Sequence, residues 1–306
     1  MQIARGPAGG RAFWLRPEPG VRIRLGVWPG PEDARGTVFL LPGRTEYIEK
    51  YGPAAAEFAA RGYAMLAVDW RGQGLATRPL ADPMKGHVGR FAEYQTDLDA
   101  VIAAAEALAL PRPWVVLGHS MGGAIGLRRL LAADHPFAAA AFSAPMWGIS
   151  LPAPVSWVAP QLARALRDSK LAEGYPPGMD ARTYVLRDPF EDNKLTTDAQ
   201  MWAFMVEQAG AEPALTLGGP TLHWVAEGIL ECAELAAAPA PDLPCYCALG
   251  GAERIVHVPA VIAQMARWPK GRLETHPGAE HELMMEGPAT RARFYDACVA
   301  TFEAAR

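Results

Sequence analysis

The residues best suited to chemistry lie in GHSMGG, positions 118–123. This segment follows the apolar run WVVLG (114–118) and precedes AIGLRRLLAAD (124–134), so a strand turns sharply into a helix at Ser120. A serine at such a turn has its hydroxyl pushed clear of the sheet. The helix N-terminus aims free N–H groups and a partial positive charge at the same place. Glycines at 118 and 122 avoid a collision across the turn, and Gly123 lets the helix pack close to the strand. The Met121 N–H is then a natural oxyanion donor. The chemistry this implies is acyl transfer through a covalent intermediate.

A serine hydroxyl is inert until a base takes its proton, so an acid and then a histidine should follow in chain order. The acid is expected where a late strand ends, and CYCALGGAERIV (245–256) offers Glu253 after a Gly-Gly turn. Asp242, the nearest rival, precedes that strand and belongs at the other end of the sheet. Of seven histidines, His281 in PGAEHELMMEGP (277–288) lies on a loop between RLETH (272–276) and the final helix. His276 belongs to the strand end, and His119 is expected to point away from the nucleophile. His87, His135, His223 and His257 have no acid in plausible reach. A second oxyanion donor is expected after the first buried strand, in LLPGRTEYIEKYG (40–52), where Gly43 permits the turn and Arg44 offers its N–H. The Arg44 side chain either meets a polar or anionic substrate group or pairs with Glu46 or Glu49.

These residues need a scaffold, and the apolar patterning supplies one. VRIRLGVW (21–28) alternates, as a half-buried strand with arginines on a wet face does, and suits an antiparallel start to a sheet. TVFLL (37–41), YAMLAVD (63–69), WVVLG, AAAAFS (138–143) and CYCALG (245–250) are continuous apolar runs, the mark of parallel strands buried on both faces. Helical stretches near 47–61, 91–109, 120–133 and 258–267 alternate with them. That alternation predicts an α/β fold with a mostly parallel, doubly wound sheet.

One region breaks the rhythm. From about Gly148 to Cys232 the chain reads as helical or irregular, with prolines at 152, 154, 160, 176, 177 and 189. It is too long for a loop and must pack as a subdomain, re-entering the sheet through AAAPAPDLP (236–244). The expected organisation is therefore a core of residues 1–147 and 236–306, with a helical cap over 148–235. Trp147, Trp157, Trp202 and Trp224, with Met201, Phe204 and Met205, concentrate here. They provide either soft apolar walls for a substrate or simply the cap's own core. Trp147, Trp202, Met205 and Trp224 are the candidate substrate-binding residues.

Taken together, LPGRTEYIEKYG, VDWRGQGLATRP (68–79), GHSMGG, GGPTLHW (218–224), GGAERIV and GAEHELMME make the chain resemble the α/β-hydrolases. The resemblance is to their lysophospholipase and monoacylglycerol lipase branch, the serine aminopeptidase-like hydrolases. It runs from about residue 37 to 290. It implies a Ser120–Glu253–His281 triad, backbone oxyanion donors at Arg44 and Met121, and a lid over an acyl-binding channel. Asp69 and Arg71 would brace the loops. Two positions depart from the common pattern: Pro42-Gly43 stands for His-Gly, and Glu253 for aspartate, both as in the bacterial lysophospholipases.

The activity implied is hydrolysis of a lysophospholipid or monoacylglycerol without metal or organic cofactor. Alternatives are a short-chain carboxylesterase, a thioesterase, an aminopeptidase, or a ligand-binding pseudo-hydrolase. Epoxide hydrolase and dehalogenase chemistry would need a carboxylate at position 120. Composition narrows the partners. The chain has 306 residues, 50% hydrophobic and 20% charged, with net charge -4, which gives no basic footprint for nucleic acid. Four cysteines at 232, 245, 247 and 298 make neither a disulfide framework nor a paired zinc motif. No run approaches 18 apolar residues, and the N-terminus lacks the apolar core of a secretory signal. The expectation is a reduced, cytoplasmic compartment, with any membrane contact peripheral, at the inner face through the cap. The sequence leaves the oligomeric state open.

Overall fold

The computed structural model describes residues 1–150, 159–167 and 169–306. Pro152, Pro154 and Trp157 lie outside the described residues. Eight strands form a single sheet: β1 Arg11–Glu18, β2 Val21–Trp28, β3 Thr37–Leu41, β4 Ala64–Asp69, β5 Trp114–His119, β6 Phe137–Ser143, β7 Cys245–Gly250 and β8 Gly271–His276. Their order is β1-β2-β4-β3-β5-β6-β7-β8. The two contacts involving β2 are antiparallel, and every pairing from β4 through β8 is parallel. β3 therefore has β4 on one side and β5 on the other. The strand order reverses there, which opens a crevice at the carboxyl ends of β3 and β5.

The buried runs behave as expected. Every residue of β3, β4, β5 and β7 is buried. Alternate residues feed separate cores: Phe39, Leu41, Val116 and Phe142 on one face, Val38, Leu40, Val115 and Leu117 on the other. Two features depart from the sequence reading. β1 was not legible because Phe13, Trp14 and Leu15 are consecutive, which masks its alternation. Trp14 lies on the wet face, 46% exposed, with the Arg22 guanidinium 4.0 Å over its ring. On β2 the arginines do not share a wet face. Arg24 is buried, donating to Asp69 Oδ2 at 2.8 Å and to Glu49 Oε2 at 2.6 Å.

The flanking helices are α1 Gly52–Ala60, α2 Glu93–Ala107, α3 Met121–Leu130, α4 Ala159–Leu166, α5 Tyr184–Arg187, α6 Ala199–Ala211, α7 Leu222–Ala237, α8 Val258–Ala266 and α9 Pro288–Glu303. The stretch read as one helix over 47–61 is a 3-10 turn, Ile48–Tyr51, followed by α1 with a proline in its first turn. α4 to α7 stand between β6 and β7, where no strand occurs among the described residues. Asp198 caps α6 by accepting from the Gln200 and Met201 N–H groups, and Thr221 caps α7 by accepting from Trp224 N–H. α7 is not remote from the sheet: Trp224, Cys232 and Leu235 join the main core. All four cysteines are free and buried, packed as small hydrophobes.

Candidate active site

The backbone around Ser120 is strained and locked. Ser120 has φ 50° and ψ -119°, a conformation an L-residue holds only when its surroundings compel it. Its N–H donates to Ser143 O at 3.1 Å, and its carbonyl accepts from Gly123 and Met146 N–H, each at 2.8 Å. These bonds tie the turn between β5 and α3 to the end of β6. Gly122 cannot carry a side chain, because a Cβ there would collide with the Leu41 carbonyl at the end of β3. The two loops at the crevice are thus in direct backbone contact.

Beyond β7, Glu253 and His281 meet. His281 Nδ1 lies 2.7 Å from Glu253 Oε2, with both side chains buried. The other carboxylate oxygen accepts from the Ile255 N–H at 2.6 Å and the Val256 N–H at 3.0 Å. Burial alone would raise the Glu253 carboxyl, but the bond and charge of His281 and these two amides outweigh it and hold it below its ordinary value. An ionised acceptor on Nδ1 fixes the tautomer whose Nε2 is free to take a proton. The loop carrying His281 is gripped from the β6–β7 insertion: Glu282 N–H donates to Leu195 O at 2.8 Å, and Thr196 Oγ1 to Met285 O at 2.6 Å. Ser120 and His281 line one cavity of about 590 Å³. No hydrogen bond joins their side chains, a looseness common before substrate binds.

The rivals are accounted for. Asp242 is exposed and pairs with Lys270 at 3.0 Å. His276 lies 3.1 Å from the Tyr246 hydroxyl, at the end of β8. His119 departs from expectation. It does not point away: it lines the cavity, its ring centroid 4.8 Å from that of His281. Its Nδ1 is 3.0 Å from Ser143 O, so this nitrogen carries the proton and donates. Burial, with repulsion from His281, lowers its pKa to about 4 against the pull of Glu46, so the ring is neutral at pH 7.

The loop after β3 is held by a buried network that sequence reading did not find. Glu46 accepts from the Gly43 N–H and the Tyr51 hydroxyl. Lys50 Nζ bridges Glu46 at 2.7 Å and Glu282 at 2.6 Å, linking this loop to the one bearing His281. Burial would raise the Glu46 carboxyl, but Lys50, His119 and Tyr51 hold it well below the usual carboxylate range. Glu46, His119 and Glu282 converge in the manner of metal ligands, and the Lys50 ammonium pairs with both carboxylates. The other side of the loop is clamped from the segment after β4. Trp70 Nε1 donates to Pro42 O at 3.1 Å, and Gln73 Nε2 to Gly43 O at 2.7 Å. Asp69 accepts from Ile48 and Leu75 N–H, and Arg71 binds Asp97, Glu18 and Glu93. Among the described residues the Arg44 and Met121 N–H groups donate to no protein acceptor.

Of the four candidate substrate-binding residues, Met205 lines the cavity and the three tryptophans do not. Trp147 packs against Phe142 and Trp268 behind the elbow, its Nε1 donating to Gly123 O at 3.1 Å. Trp202 packs with Tyr184, Phe190 and Met285, a cluster that joins the insertion to the loop bearing His281. Trp224 is buried against Tyr94, to whose hydroxyl its Nε1 donates at 3.2 Å. A large indole is more useful filling an interior than lining a polar cavity, and the sequence could not show which role each had. The insertion instead faces the cavity with Val185, Leu195 and Met205 beside many charged groups.

A mostly parallel sheet covered on both faces, with a serine at the strand-to-helix elbow beside its strand-order reversal, is the α/β-hydrolase fold. Residues 32–288 match the family described as serine aminopeptidase, S33, and the chain belongs to it; it is a serine hydrolase. It is 35% identical over 279 residues to lysophospholipase L2 of Escherichia coli strain K12, covering 87% of this chain and 79% of that protein. It is 35% identical over 175 residues to monoacylglycerol lipase of Mycolicibacterium smegmatis, covering 56% and 58%. A soluble variant of the Saccharomyces cerevisiae monoglyceride lipase, solved with a substrate analog, superposes with a TM-score of 0.72. It shares 19% identity and covers 95% of this chain and 94% of that one, a likeness of fold.

Proposed function

We propose that the chain hydrolyses a single long-chain acyl ester, in a lysophospholipid or a monoacylglycerol, through Ser120, His281 and Glu253. The observation that carries this reading is the 2.7 Å His281–Glu253 pair on the cavity that Ser120 also lines. Ser120 Oγ attacks the ester carbonyl while His281 Nε2 takes its proton. The oxyanion is received by the Arg44 and Met121 N–H groups, worth on the order of 100-fold each in rate. His281 then protonates the leaving alcohol, and the acyl-enzyme is hydrolysed when water repeats the sequence and releases the fatty acid. Glu253 keeps the imidazole oriented and stabilises its cation without becoming protonated.

In this reading residues 148–235 are a cap over a core of 1–147 and 236–306, and Met205 meets the acyl chain. Support for the substrate class comes from the named activities of the two curated relatives, one a lysophospholipase and one a monoacylglycerol lipase. No helix among the described residues is long and apolar enough to cross a membrane. A lipid substrate would therefore be met at a surface or in a micelle, and the cap is the part we assign to that contact.

The test has two arms. A fluorophosphonate probe should label the protein and fail on Ser120→Ala, whose turnover should fall by roughly 10⁴-fold or more. Profiling p-nitrophenyl esters should then show rates rising beyond butyrate. A profile that peaks at acetate or butyrate would instead assign a short-chain esterase.

A further inference from the structure

We infer that the Arg44 guanidinium is an anion subsite that receives the phosphodiester of a lysophospholipid whose ester lies at Ser120. The inference rests on the ester-hydrolase reading above. The two carboxylates nearest in sequence are already taken: Glu46 by Lys50 and Tyr51, Glu49 by Arg24 and the N-terminal ammonium. Among the described residues no carboxylate pairs with Arg44. Its Nη1 donates to Gly218 O at 3.0 Å, and its guanidinium carbon lies 5.7 Å from the centroid of the Trp224 ring. These contacts orient the fork without neutralising it. A Cβ on Gly86 would come within 3.3 Å of Nη1, so a glycine there spares the space.

The other cationic groups of the cavity are differently placed. Lys50 is matched by Glu46 and Glu282, Arg182 by Asp180, Arg187 by Asp188, and Arg254 by Asp192 and Glu280. Lys194 is exposed to solvent. Arg44 alone among these cationic lining residues combines a part-buried charge with no counter-ion among the described residues. Burial lowers its pKa to about 10, which leaves it fully charged at neutral pH. A desolvated charge of this kind costs free energy until a ligand supplies its partner.

Reach agrees with this assignment. The Arg44 N–H is the oxyanion donor of the proposed mechanism. From that nitrogen to the guanidinium carbon there are as many bonds as from the ester carbonyl carbon of a 1-acyl lysophospholipid to its phosphorus. One residue would thus hold both ends of the glycerol unit, the carbonyl by its backbone and the phosphate by its side chain. A monoacylglycerol presents a neutral hydroxyl at that position and gains nothing from the second contact.

The experiment compares kcat/KM on lysophosphatidylglycerol and on a monoacylglycerol of the same acyl chain, in one detergent, for the wild type, Arg44→Met and Arg44→Lys. Any disturbance of the loop slows both esters and cancels in their ratio. The ratio should fall roughly ten- to hundredfold in Arg44→Met, the range of a charge-assisted hydrogen bond. Arg44→Lys should fall between, keeping the charge but losing the fork. A ratio unchanged in Arg44→Met overturns the subsite and leaves the hydrolase reading standing. Wild-type protein inactive on both esters overturns the two together. Inhibition of p-nitrophenyl butyrate hydrolysis separates the ligand sources. Glycerophosphoglycerol should compete more strongly than inorganic phosphate, and only in the wild type; the reverse order would assign a free-phosphate site and overturn the headgroup reading.

Discussion

At the scale of the residue, the proposed chemistry depends on one ionised carboxylate and on the geometry it enforces. Glu253 is fixed by two backbone amides as well as by His281, so its charge and its direction are set together. Glu253→Gln keeps the shape but offers an amide whose NH₂ can face Nδ1, favouring the wrong tautomer. Its kcat should drop on the order of 10⁴-fold with thermal stability changed far less, measured side by side on the same preparation. A loss below tenfold would mean that another acceptor orients His281. Ser120, Glu253 and His281 were readable because motif context and chain order limit where each can stand. The position of His119 was not readable, since the direction of a side chain at a strained turn depends on what packs around it.

Elements were legible where patterning is unambiguous and obscure where polar groups are buried. β3 and β7 match their apolar runs to the residue, because a strand covered on both faces has nowhere to place a polar side chain. The 3-10 turn after β3 is the opposite case. Glu46, Glu49 and Lys50 look like a solvated helical face in sequence, yet all three are buried. Lys50 neutralises two carboxylates on two different loops. Lys50→Met should therefore cost about 3–5 kcal/mol in urea unfolding, since it leaves Glu46 and Glu282 facing each other uncompensated. Adding Glu46→Gln and Glu282→Gln should recover part of that loss. If Lys50→Met alone costs under about 1 kcal/mol, water is taking the place of the ammonium and the link between the loops is weak.

For the whole molecule, the buried groups of the site make acid a destabilising agent. His119 has a folded pKa of about 4 against about 6.5 unfolded, so the unfolded chain takes up the proton first. Stability is thus intact above pH 6.5 and declines as pH falls toward 4, by about 3 kcal/mol from this residue. Glu46, held below its ordinary range, extends the decline further into acid. The melting temperature should fall across pH 6.5 to 4, and His119→Gln should flatten that slope. An equal slope in the variant would place the titrating group elsewhere, for example at His276, which burial also lowers. The insertion matters at this scale as well: residues 193–196 hold the loop of His281, so the proposed cap and the proposed base are mechanically joined.

The sequence by itself determined the order of the buried strands along the chain, the elbow at Ser120 and the identities of Glu253 and His281. The strands follow from local periodicity, the elbow from a turn that few residues tolerate, and Glu253 and His281 from chain order after it. What only the tertiary structure decided is which charges are paired. Arg24 finds Glu49 and Asp69, and Lys50 finds Glu282 on a loop far along the chain, while Arg44 is left without a carboxylate among the described residues. The tryptophans show the same limit, since a large apolar side chain fits a core or a cavity wall equally well until neighbours are known. Pairing and burial are properties of long-range proximity, and no one-dimensional pattern records them.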